Sequence, residues 1–123
     1  MAFKYYENFP SFNIAEVFCV RIDPDIKVGS ELIKSLYYSL WFPGYFGFNW
    51  DALNDCLNDF HWMDCKKIVL IHKQIPDLSF HEVKIYLDIL NDAVLSWEND
   101  DAHEFEVYFK LSDKKRVEEI IKT

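Results

Sequence analysis

Apolar positions in this chain fall into short continuous runs separated by longer stretches of helical spacing, the pattern of strands alternating with helices. Val17-Phe18-Cys19-Val20 sits in a run from Ala15 to Ile22 that Asp23-Pro24-Asp25 closes, which predicts a buried strand ending in a turn. Lys66 to His72 carries Ile68-Val69-Leu70-Ile71, a run typical of interior parallel strands. A third strand is expected at about Phe105 to Phe109. Between the first two, Leu32, Ile33, Leu36 and Leu40 predict a helix with Ser30 as its cap and Glu31 in its first turn, stopped by Pro43. Ser79 and Glu82 stand as a capping box, with Leu78 and Val83 as a hydrophobic staple. The helix that follows shows Val83, Tyr86, Leu87, Leu90, Val94 and Trp97 on one face and ends at Glu98-Asn99-Asp100-Asp101. Ser112 is expected to cap a last short helix on Val117, Ile120 and Ile121.

Strands separated by helices of this length imply parallel crossovers. The expected fold is a single α/β domain: a three-stranded parallel sheet covered by helices, over residues 14–110. Residues 1–13, aromatic and interrupted by Pro10, form an unassigned N-terminal arm, and residues 111–123 a helical extension.

One stretch, Phe42 to Phe60, differs from the rest. Pro43, Gly44 and Gly47 mark a tight approach, and Asn49 stands where an N-cap would accept from the first free amides, so a helix is expected from Trp50 to about His61. Leu53, Cys56, Leu57 and Phe60 share its apolar face, while Asp51, Asn54, Asp55 and Asn58 recur at the same spacing on another. Asp51 suits the first turn, but Asp55 and Asp59 follow at four-residue intervals, where like charges cost roughly 0.2–0.5 kcal/mol per pair. No Lys or Arg lies between Phe42 and Cys65 to neutralise them. The face is either an ordinary solvated surface or a prepared site for a cationic partner.

Composition favours the second reading. A net charge of -8 disfavours phosphate binding and favours a basic protein partner. The 11 Phe, 7 Tyr and 4 Trp exceed what a core of 123 residues needs, so some rings are expected at the surface, and exposed aromatics beside acids mark protein interfaces. Cys19, Cys56 and Cys65 are odd in number and lack CxxC spacing, which fits reduced thiols in a cytoplasm. The N-terminus has no signal-peptide pattern and no run reaches membrane-spanning length, so neither secretion by signal peptide nor membrane insertion is expected.

Catalysis and metal binding are weaker readings. Cys56 with His61 or His81 can be imagined as nucleophile and base, but Cys56 lies on the apolar face, where a thiol is unreactive. Asp51, Asp55, His61 and Cys65 lack EF-hand or HExxH spacing and give too few converging ligands. His72 and His103 are read as polar boundary residues. No catalytic residue, metal or cofactor is expected.

At Tyr45-Phe46-Gly47-Phe48-Asn49-Trp50-Asp51-Ala52-Leu53-Asn54-Asp55-Cys56-Leu57 the chain resembles the signature of the barstar family, the intracellular inhibitors of microbial ribonucleases. A Tyr-aromatic-Gly-x-Asn-x-Asp-Ala-Leu turn and helix start precedes Asp-Cys-Leu, and the element order matches over about Ile14 to Lys110. The resemblance implies that the loop and helix plug the active site of a cationic ribonuclease toxin, with carboxylates where RNA phosphates would lie. It places Tyr45, Asp51 and Asp55 in contact and makes Asn49 and Gly47 structural. Two positions depart from the family: Asn54 replaces a frequent Trp, and Phe60 follows Asp59 in place of a small residue. Matching apolar faces brings a further acid from the later helix near Asp92. The candidate docking set is therefore Tyr45, Phe46, Asp51, Asn54, Asp55, Asn58, Asp59 and Asp92, on a cytoplasmic protein that is a monomer alone and a heterodimer with its toxin. The alternative is an acidic module for another basic effector, or a mimic of nucleic acid toward a DNA-binding protein.

Overall fold

The computed structural model describes residues 2–123, and each continuous apolar run is a strand in it. The sheet is fully parallel but has four strands where three were expected. β1 (Lys4–Tyr6), β2 (Val17–Ile22), β3 (Lys67–His72) and β4 (Glu104–Lys110) lie in the order β1-β4-β3-β2. The additional strand belongs to the N-terminal arm and pairs Lys4 with Tyr108 and Tyr6 with Lys110. Three residues are too few to display a period of two, and the partner lies about a hundred positions away, so no local pattern announces this strand.

Helices α1 (Gly29–Ser39), α2 (Trp50–Leu57), α3 (Phe80–Trp97) and α4 (Lys114–Lys122) complete the order, α4 entered through a 3-10 turn at Leu111–Asp113. Alternation along the strands separates two faces. Val20, Ile22, Ile68, Leu70, Phe105, Val107 and Phe109 meet the helices in the main core with Leu36, Leu53, Leu87 and Val117. Tyr6, Val69 and Ile71 point the other way and are covered by Phe12, Val17 and Tyr108. The segment between β1 and β2 thus straps the second face, with Arg21 over the Phe9 ring and Lys67 over Phe12.

Two expected caps differ. Val28 occupies the N-cap of α1 without a side-chain bond, and Ser30 lies inside the first turn; the Glu82 carboxylate lies against buried Gly29 at this helix end. Ser79 Oγ does accept from the Glu82 N–H, at 3.3 Å, but the Glu82 side chain is turned toward α1. Ser112 falls in the 3-10 turn, and Asp113 takes the N-cap of α4 without a side-chain bond.

One polar group lies at the centre of the core. His72 is fully buried at the end of β3, with Nδ1 3.1 Å from Tyr108 O and Nε2 2.7 Å from Tyr86 Oη. A carbonyl only accepts, so Nδ1 carries the proton and donates, which leaves Nε2 to accept from the Tyr86 hydroxyl. Burial holds His72 down at about 4, below the usual imidazole range, and raises Tyr86.

Candidate functional site

The Phe42–Phe60 stretch folds as its local chemistry dictates. Asn49 takes extended backbone and its Oδ1 accepts from Ala52 N–H at 2.7 Å, starting α2 at Trp50. Leu53, Cys56 and Leu57 turn inward, and Asp51 and Asp55 turn out to solvent, one helical turn apart. Among the described residues neither carboxylate has an ion-pair partner.

The helix ends at Leu57, one turn short of the expected His61. The Asn58 side-chain amide donates back to Asn54 O at 2.7 Å, Asp59 N–H and Phe60 N–H both reach Cys56 O, and Phe60 turns left-handed at φ 50°. Asp59 therefore stands beyond the helix, exposed, with Oδ2 2.7 Å from His61 Nδ1. It is not the third member of a helical row of acids.

Asn58 serves as a joint. Its Oδ1 accepts from Ser96 Oγ of α3 at 2.7 Å, while Trp97 Nε1 donates to Leu57 O at 2.7 Å. At the other end of α2 the Trp50 and Tyr86 rings lie 6.2 Å apart, so α2 and α3 run side by side in the same direction. Asp92, exposed and one turn before Ser96, is thereby brought level with Asn54. The half-buried Asn54 gives its backbone carbonyl to Asn58 and lies 3.3 Å from it through Oδ1.

The loop before α2 sorts its rings in a way that periodicity does not reveal. Phe46 is only 5% exposed, stacked on Tyr37 at 5.7 Å and tilted against Phe42 at 4.9 Å. It belongs to the core and is removed from the docking set. Tyr45 beside it is 74% exposed. Three further rings not singled out in the sequence share this end of the molecule: Tyr38 at 65%, Trp41 at 73% and Phe48 at 49% exposure. The available signal was position: Tyr38 lies off the apolar stripe of α1, and Trp41 follows its last apolar residue. Gly47 has no left-handed φ and room for an ordinary Cβ contact; Phe48 makes the left-handed turn instead, at φ 53°.

Cys56 is buried, and its thiol is pushed up to about 11 by burial, then by the Asp59 and Asp55 charges. A thiol so held is a core group and a poor nucleophile. His103 donates from Nδ1 to Cys65 O at 3.1 Å, and with this bond it ties a loop and is not offered to solvent. A cleft of about 390 Å³ has no residue of α2 in its lining, which includes Lys4, Lys66, Trp97 and Glu104; Lys4 is paired there with Glu106 at 2.9 Å. Among the described residues no group of three or more His, Cys, Asp or Glu side chains could hold a metal ion, and no helix is long and apolar enough to cross a membrane.

The site is thus an acidic ridge on a short capped helix, level with a second acid on α3 and approached by a loop of exposed rings. Comparison with protein families matches residues 17–110 to Barstar, described as barstar (barnase inhibitor). The match spans well over half of the chain, and the chain belongs to this family. Membership implies the role of a ribonuclease inhibitor, with a ribonuclease as the kind of partner and binding in place of catalysis. Comparison with curated proteins finds no match.

Proposed function

We propose that this protein neutralises a cationic ribonuclease toxin by seating the α2 ridge in its active-site cleft. Asp51 and Asp55 take the positions of RNA phosphates, Tyr45 packs at the cleft mouth, and Asp92 and Asp59 add charge at the margin. The observation behind this reading is the pair of exposed carboxylates one turn apart, without an ion-pair partner among the described residues, on a span from Ser35 to Cys65 that holds no Lys or Arg. In a cleft built for phosphate, Arg and Lys would bind these carboxylates through charge-assisted hydrogen bonds. The toxin acts inside the cell that makes the inhibitor, so the complex is a cytoplasmic heterodimer, and the free inhibitor is a monomer.

Titration of the protein into barnase cleaving RNA tests this. A stoichiometric fall in cleavage, relieved by Asp55→Ala, is the expected outcome. Undiminished cleavage, with no complex on a native gel, would sink inhibition of this enzyme class and favour docking on another basic effector.

A further inference from the structure

The acidic ridge leaves the rings at the end of α1 unexplained. Trp41 and Phe48 hold left-handed backbone, at φ 58° and 53°, a conformation that is a steric outlier for bulky side chains. For Phe48 the fold offers compensation, since its ring packs on Tyr37 at 4.7 Å and Phe46 at 5.1 Å. For Trp41 it does not. The residue follows the C-cap of α1, where Phe42 N–H reaches back to Tyr37 O at 3.0 Å, a helix ending that glycine fills without strain. Its ring pairs with no other ring among the described residues and projects into solvent. Tyr38 stands beside it, its ring against Tyr37 at 5.0 Å, and a shallow cleft of about 360 Å³ opens between Tyr37, Tyr38, Trp41 and Phe42. The turn closes α1 and carries Phe42 into the core, but glycine would do the same without strain, so the cost of placing an exposed indole there has no return in the turn itself and points to a functional surface.

The occupant follows from charge. No Lys or Arg lies between Lys34, one turn before Tyr38 on α1, and Lys66, and the cation–ring contacts among the described residues fall on Phe9, Phe12 and Tyr5, so neither Tyr38 nor Trp41 carries a cation of this chain. Aromatic faces without a competing cation attract Lys and Arg, most strongly on Trp. We infer that Tyr38 and Trp41 are a second, aromatic half of the docking surface, which receives a Lys or Arg side chain from the rim of the same basic partner. This inference rests on the proposed docking of the α2 ridge, and it extends that surface beyond the residues of the family motif.

Barnase is the probe, with affinity and unfolding midpoint measured on the same variants. Trp41→Gly should bind at least about tenfold more weakly, the scale of an interfacial Trp. It should also unfold at a higher midpoint, because glycine relieves the left-handed position. Tyr38→Ser should weaken binding severalfold with an unchanged midpoint, and Trp41→Phe should recover part of the affinity. Wild-type affinity in Trp41→Gly, beside weakened binding by Asp55→Ala, overturns the aromatic half and leaves the ridge standing. Wild-type affinity in both overturns the two together. A concentration-dependent dimer of the free protein in sedimentation, abolished by Trp41→Gly, would assign the patch to a second copy of this chain and overturn the inference.

Discussion

His72 and Asp55 both sit on elements with an apolar face, and they end in opposite conditions. His72 is sealed in the core, its two ring nitrogens each met by a partner, held neutral by burial. Asp55 is exposed, mid-helix, without an ion-pair partner among the described residues. The first arrangement closes on itself: one donor, one acceptor, no capacity left over. The second leaves a charge whose favourable contacts must come from outside the chain. Polarity alone separates neither residue from the other; the count of partners does.

The largest effect expected comes from breaking the closed centre with acid. An unfolded chain binds a proton on His72 below about 6.5, the ordinary imidazole value, whereas the folded chain binds it only below about 4. Between those values the unfolded state holds more protons, so stability falls as pH is lowered through that window, by about 3 kcal/mol. Urea unfolding of the wild type and His72→Gln from pH 7 to 4 checks this. The difference between the two stabilities should shrink across the window; a constant difference would mean that His72 does not titrate with unfolding.

Opening the other half of the comparison affects binding. Asp55→Ala should cost at least about 2 kcal/mol of affinity for the ribonuclease, the general scale of interfacial hot spots, because a cation in the cleft loses its counter-ion. The association rate of the wild type should fall about tenfold or more from low to high ionic strength, with dissociation changing less. A rate indifferent to salt would remove the ridge from the encounter surface.

These two centres were not equally legible. The α2 ridge could be read because everything that builds it is local: the Asn49 cap, the 3.6-residue period and the absence of basic residues all lie within a few turns. The three longer strands were legible for the same reason. What escaped depended on distant partners or on backbone twist. β1 exists only through its pairing with β4, and the tether of His72 runs to Tyr86 and Tyr108, on elements that only the fold brings near. In the loop, Phe46 and Phe48 differ in burial because Phe48 turns left-handed, a turn that Gly47 next to it advertises but does not make. The end of α2 escaped too, since Asn58 and the left-handed Phe60 stop a helix whose apolar spacing continues.

Asn58 sharpens the comparison, because it sits on the ridge yet is partnered like His72. Its bonds to Asn54 and Ser96 join α2 to α3 and hold Asp92 level with the ridge. Asn58→Ala should therefore lower stability by about 1 kcal/mol, the net worth of such hydrogen bonds. Its loss of affinity should be smaller than that of Asp55→Ala. Thermal unfolding with unchanged stability, beside a large loss of binding, would move Asn58 from the scaffold to the contact surface.

The smallest effect concerns the free protein. Asp51 and Asp55 are four residues apart on one helix, a like-charge spacing that costs roughly 0.2–0.5 kcal/mol. Asp51 is favoured by the amino end of α2, whereas Asp55, mid-helix, gains little from it. The four-residue spacing of the chain suggests a second repulsion with Asp59, but Asp59 lies past the helix end and is occupied with His61. Asp55→Asn, which keeps the side-chain volume, should thus stabilise the unbound protein by the value of one pair. The gain should fade in high salt, where exposed charges are screened. Chemical unfolding at low and high ionic strength measures both. A destabilised variant would mean that Asp55 is held by a partner within the chain, and the ridge would then be one more closed centre like that of His72.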